Sequence, residues 1–256
     1  MKKRYSIALA CGTLCVMVLL HAKVLRDYKK EVGQAFPAEL QLNTEQKQLM
    51  EAAFGLLHPD AIKMILNDAV QKFGTNKEKF FNFIMTKDLE GWTILHHYVV
   101  DGNPEHVRFI LETTRRVLDD PRMYEQFVNA EDIFTTTALL IGVQRFKTDA
   151  VKQLVTITSE VFKDRPDLFF TFLMKAGSET GHTPLTFAVL QDKFQIVKLL
   201  VCAAAQLFGI GSSYFNKFLN TPDKTGKTAY TYAPQYIQSF LAQYGAEGED
   251  YIGELY

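Results

Sequence analysis

The chain has 256 residues, enough for one or two domains with a sizeable core, and its 47% hydrophobic and 22% charged content excludes wholesale disorder. Basic and acidic residues nearly balance, 28 against 29, but seven of the bases and a single acid fall in the first thirty positions, leaving 21 against 28. A body that acidic has no electrostatic hold on a phosphate backbone, which argues against nucleic acid as a partner.

At the N-terminus, Lys2, Lys3 and Arg4 precede an uncharged, proline-free run from Tyr5 to Leu20. The run is long for the apolar region of a signal peptide and short of the roughly 20 residues that a spanning helix needs. Residues 1–22 therefore read as an address, either a signal peptide cleaved after Ala22 or an N-terminal membrane anchor. A buried helix of a soluble protein is the third option. The expected location is secreted or periplasmic, or anchored to a membrane through residues 1–22 alone. Residues 23–44 read as a linker. Cys11 and Cys15 lie inside the apolar run, so Cys202 stands alone in the body, where no intramolecular disulfide or cysteine-based zinc site can form. Its context, KLLVCAAAQLF, predicts a thiol packed in an apolar helix.

A fixed period dominates the rest of the chain. The stretch from Asp88, DLEGWTILHHYVVDGNPEHVRFIL, returns from Asp132 as DIFTTTALLIGVQRFKTDAVKQLV and from Ser178 as SETGHTPLTFAVLQDKFQIVKLLV. A fourth copy begins at Asp223 as DKTGKTAYTYAP, and successive starts lie 44, 46 and 45 residues apart. Thr93, Thr137, Thr183 and Thr228 share one place in this register. Leu95, Leu139, Leu185 and Tyr230 share another, and Val107, Val151 and Val197 match further on. One period upstream, His58-Pro59-Asp60, Ile62 and Leu66 mark an earlier, degenerate copy without the Gly-x-Thr signature, as suits a repeat that closes a stack. The units so delimited are 45–87, 88–131, 132–177, 178–222 and a truncated 223–245, followed by an acidic tail over 246–256.

The pattern D-x-x-G-x-T-P-L-H-x-A, then G-x-x-E-x-V and a leucine-rich tail, resembles the ankyrin repeat. The third copy shows it most plainly as Gly181-His182-Thr183-Pro184-Leu185, with Ala188 in the small-residue slot. The first keeps Gly91, Thr93, Leu95, His96, Gly102, Glu105 and Val107, with Ile94 for proline and Tyr98 for alanine. The second departs furthest, with Thr135 for glycine and Leu140 for histidine. The resemblance spans roughly residues 45–245 and implies an all-α solenoid with short β-hairpin turns. An ankyrin unit has about 33 residues, so each copy here carries roughly a dozen more. Those extra residues hold the pairs Phe80/Phe83, Tyr124/Phe127, Phe169/Phe172 and Phe215/Phe218, each after a breaker such as Gly74, Pro121, Pro166 or Gly211. An i, i+3 pair puts both rings on one helix face. This predicts an extra short helix per repeat, with Phe83, Phe127, Phe172 and Phe218 buried between units and Lys79, Gln126, Thr171 and Lys217 more exposed.

Candidate chemistry is thin. His96 and His97 lack the Glu-x-x-His context that aims two metal ligands along a helix, and the six histidines show no metal spacing. The resemblance gives His96 a structural role, tying the turn to the first helix. The TGKT of Thr225–Thr228 has Thr221 where a phosphate-binding loop needs glycine, and no G-x-S-x-G elbow occurs. No catalytic residue, cofactor or metal is assigned.

The ankyrin resemblance implies a protein partner, held on a concave face made by the hairpin tips and the exposed side of each first helix. Information about that partner must lie in slots that vary between copies. These are the tips Trp92, Phe134, Thr136, His182 and Lys227, and the helix positions His97, Asp101, Ile141, Arg145, Phe187, Gln191 and Tyr232. Trp92, His97 and Arg145 are expected at the centre, and the alternative for Phe134 and Phe187 is burial beneath a neighbouring hairpin. The expected function is an exported or membrane-tethered protein–protein interaction scaffold. Its rivals are a hydrolase-like enzyme whose site converges only in three dimensions, and a structural cell-envelope protein.

Overall fold

A computed structural model describes residues 59–88, 90–177 and 179–246; the expected address segment, the linker, the start of the first unit and the tail beyond 246 lie outside the described residues. The first unit supplies α1 (Pro59–Phe73) and α2 (Lys77–Ile84). Three triplets follow: α3 (Ile94–Asp101), α4 (Pro104–Leu118) and α5 (Pro121–Val128); α6 (Ala138–Gln144), α7 (Thr148–Val161) and α8 (Pro166–Met174); α9 (Pro184–Leu190), α10 (Phe194–Phe208) and α11 (Ser213–Asn220). The chain then closes with α12 (Ala229–Tyr232) and α13 (Gln235–Ala242).

Local sequence explains where these helices start. Thr93, Thr137, Thr183 and Thr228 all hold extended backbone at the N-cap of a first helix. Prolines occupy the first turn of α4, α5 and α8, where their missing N–H would be unpaired anyway. Asn76, Asn103, Asp120 and Ser212 cap their helices through the side chain.

Helices of one kind stack on one another, giving an all-α solenoid of three columns: α3, α6, α9 and α12; α1, α4, α7 and α10; and α2, α5, α8 and α11. The third column is the extra helix that the aromatic pairs predict. Phe83, Phe127, Phe172 and Phe218 are buried, as are Phe80, Tyr124, Phe169 and Phe215. Lys79, Gln126 and Lys217 are exposed and Thr171 is half-buried. The small-residue slot has an equally direct cause. A Cβ on Gly142 of α6 would lie 2.6 Å from Val99 of α3 and 2.8 Å from Val151 of α7, so the first and second columns leave no room there.

The turns differ from the expected β-hairpins. Asp88 N–H donates to the Trp92 carbonyl and Asp132 N–H to that of Thr136, but among the described residues the one β-bridge is isolated, joining Glu131 and Thr137. The turn carboxylates take the N–H groups that a ladder would use. Asp88 Oδ1 accepts from Glu90 and Trp92, Asp132 Oδ1 from Phe134 and Thr136, and Asp223 Oδ1 from Thr225 and Lys227. Each tip also needs one left-handed residue, supplied by Gly91, Thr135, Gly181 and Gly226 at φ 77°, 59°, 73° and 83°. Thr135 thus adopts the same turn as its glycine counterparts, at the steric expense a β-branched residue incurs in that region. Cys202 corrects a second expectation, because it lies on the exposed side of α10 beside Tyr244. No helix among the described residues is long and apolar enough to cross a membrane.

Two stability measurements check this account. Thr135→Gly should raise stability by about 1 kcal/mol in denaturant unfolding, since it relieves a left-handed β-branched residue at an exposed tip. Phe172→Ala should lower it by about 3–5 kcal/mol, through a cavity between third-column helices.

Candidate functional site

The tips are joined to one another by a repeated polar tie. Asp132 Oδ2 accepts from Trp92 Nε1 of the preceding unit at 3.3 Å, and Asp223 Oδ2 lies 3.1 Å from His182 Nε2 of its preceding unit. The first helix reaches the same carboxylates from its own unit: His97 Nε2 is 2.8 Å from Asp88 Oδ2, and the Tyr232 hydroxyl donates to Asp223 Oδ2 at 2.7 Å. Burial alone would push the Asp223 carboxyl up, but hydrogen bonds from Tyr232, Thr225 and Lys227 outweigh it and hold the group well below the usual carboxylate range.

His96 answers the question raised by the paired histidines. Its Nδ1 accepts from Thr93 N–H at 3.1 Å and sits 2.9 Å from the Thr93 hydroxyl, while Nε2 lies 3.2 Å from the Thr136 carbonyl of the next unit. These partners assign the ring proton to Nε2. Burial lowers its pKa to about 4, so the imidazole is neutral and serves as a strut between turn, helix and neighbour.

At one junction the sequence does not repeat the pair of residues that forms the tie. Between the second and third turns the sequence offers Thr136 and Ser178, where the flanking junctions have an indole or imidazole and an aspartate. The third turn is also one residue wider, closing from Gly177 N–H to the His182 carbonyl. Here lies a cleft of about 400 Å³, lined by Glu90, Trp92, Asp132, Phe134, Thr136, Ile141, Gln144, Arg145, Gly177, Glu179, Thr180 and Phe187. Its second tip presents Ile133 and Phe134 to solvent at 61% and 66% exposure.

The cleft brings together Trp92, Phe134, Thr136, Ile141, Arg145 and Phe187 of the residues expected on this surface. Two of these are corrected as exposed slots: Ile141 is only 4% exposed because α6 is packed between α3 and α9, and Thr136 only 9%, its backbone closed on Asp132 and its carbonyl facing His96. Phe134 is not pinned beneath a neighbouring tip, whereas Phe187 is half-buried, edge-on to His182 at 5.4 Å. The others stand apart from the wall. His97, expected at the centre, turns to Asp88, and Asp101 pairs with His106 Nδ1 at 3.0 Å. Tyr232 and His182 hold Asp223, the Lys227 ammonium lies 5.7 Å over the Tyr232 ring, and Gln191 is exposed at the end of α9. Sequence reasoning missed Glu90, Asp132, Gln144, Glu179 and Thr180. For Asp132 a signal existed, since aspartate recurs at the start of three of the four copies.

The described residues contain no group of three histidine, cysteine or acidic side chains able to hold a metal ion. Chemically the cleft offers an aromatic and aliphatic wall with charged side chains around it.

No family model matches the sequence, and no curated protein matches it. Among solved structures the chain is similar to the ankyrin repeat domain of Bcl-3, described as a unique member of the IkappaB protein family, with 16% identity and a TM-score of 0.47. That similarity covers 81% of this chain and 88% of the other. The ankyrin-like character of the fold stands on the chain's own repeat: a threonine-capped first helix, a left-handed tip residue, and a second left-handed residue closing the helix at Gly102, Phe146 and Asp192.

The strut role of His96 has a pH signature. The unfolded chain takes up its proton near 6.5 and the folded chain only near 4, so between these values the folded state binds fewer protons. Stability should therefore fall as pH drops through that window, by up to about 3 kcal/mol for this one group. Unfolding titrations at several pH values check it, with His96→Asn expected to show a flatter profile between pH 6.5 and 4.

Proposed function

We propose that the protein is a protein-interaction scaffold, with its partner seated in the cleft between the first three turns. The carrying observation is the second tip, where Ile133 and Phe134 are exposed beside the cleft, at the junction whose sequence lacks the tie-forming pair. Aromatic and arginine side chains dominate interface hot spots, and Trp92, Phe134, Phe187 and Arg145 are among the residues lining the cleft. Equivalent slots also hold unlike residues: Trp92, Thr136, His182 and Lys227 share one place in the register. Such variation at fixed positions is what a partner-specific surface needs, whereas a purely structural envelope protein has no use for it. The basic and apolar N-terminal run supports export or tethering of this scaffold, which fractionation of cells into soluble and membrane pools will test.

The binding reading is tested by photo-crosslinking in living cells. Benzoylphenylalanine in place of Phe134 should give a discrete protein adduct, and the same group in place of Lys152, exposed on α7, should not. No adduct at 134, or an equal one at 152, overturns the reading.

A further inference from the structure

We infer that the cleft takes an extended polypeptide segment that is both cationic and apolar: a lysine or arginine received by Glu90 and Glu179, beside an apolar side chain set on Phe134 and Phe187. This rests on the protein-binding reading above and names the class of partner.

Charge decides the sign. Three carboxylates line the cleft, Glu90, Asp132 and Glu179, against the single guanidinium of Arg145. Glu90, Glu179 and Arg145 are exposed, and no ion pair engages any of the four among the described residues. The hydrogen bonds of Asp132 come from two backbone amides and an indole, neutral donors that satisfy its oxygens and leave its charge in place. A cationic segment is therefore attracted at encounter and in place, while an acidic one meets like charge. Arg145, whose five donors meet no ion-pair partner among the described residues, is suited to main-chain carbonyls of the segment.

Shape decides that it is a segment. Helix layers pack about 8–10 Å apart, so a wall crossing three units runs about 20 Å, the reach of about six extended residues. The larger recess of about 630 Å³ beside α4 does not compete, because its Arg115 already pairs with Glu112 and with Glu160.

Trp92 is the chain's one tryptophan and lines the cleft, so its emission reports occupancy directly. The experiment pans a random dodecapeptide phage library on the full-length protein, then titrates the enriched peptides, synthesised without tryptophan, against Trp92 fluorescence. The expected result is enrichment of peptides combining lysine or arginine with aromatic or aliphatic residues. Their binding should weaken as salt rises and at least tenfold in Glu90→Lys/Glu179→Lys. The isosteric Glu90→Gln/Glu179→Gln variant keeps the test sound if charge reversal disturbs folding, and it should lower affinity in the same direction. Enrichment of acidic or uncharged peptides, or affinity unchanged in both variants, overturns the inference and leaves the scaffold reading standing. No enrichment together with a persisting adduct at position 134 also overturns the inference alone. No enrichment and no adduct remove both.

Discussion

The turn carboxylate is the interaction on which this fold depends. In one group it solves two problems that a repeat protein faces at every unit. A tight turn leaves backbone N–H groups pointing inward with no helix or ladder to satisfy them, and Asp88, Asp132 and Asp223 each accept two of these on one oxygen. The other oxygen is then free to look sideways, where it meets His97, Trp92, or His182 and Tyr232. Hydrogen bonds to a charged group contribute about 1.5–3 kcal/mol each, roughly twice a neutral one, so the same residue fixes both the shape of the turn and its spacing to the next.

Once the carboxylate is seen as the joint, the second-to-third junction becomes intelligible. Removing an aspartate at 178 and an aromatic or imidazole donor at 136 takes both halves of the tie out together, so no donor is stranded against an absent acceptor. The wider third turn and the left-handed Thr135 fall at this same junction. Backbone strain of this kind persists only where the surroundings over-determine it, and it concentrates where a surface is used. A partner that grips both sides of the gap would stabilise the folded state by mass action, standing in for the tie that the chain omits.

How much of this was legible in the sequence follows from what a repeat can and cannot record. Core positions recur with the period, so the threonine caps, the leucine slots and the i, i+3 aromatic pairs could be read directly, and the third helix with them. Turn geometry is recorded less well. Thr135 stands where the pattern has glycine, yet its backbone follows the glycines, with the Asp132 carboxylate accepting from the N–H groups on either side of it. The cleft itself could not be read, because it comes from an interruption of the repeat rather than from any residue's own chemistry. Ile141 shows the limit plainly: its slot varies between copies, but α3 and α9 cover it whatever residue it holds. Cys202 shows another, because an apolar window predicts a helix without saying which of its faces is outward.

The third column explains why the gap does not close or come apart. In a two-column stack the first and second helices alone would carry each junction, and losing a tip tie would weaken the joint appreciably. Here α8 packs on both α5 and α11, and each third helix buries two rings. Fully burying one phenylalanine contributes about 1.5–3 kcal/mol, so the rings at one junction outweigh a missing tie of about 1.5–3 kcal/mol. The extra helix therefore holds the stack through buried rings that are not among the residues lining the cleft. That separation lets the turns at one junction be shaped by binding while the columns behind them keep the register.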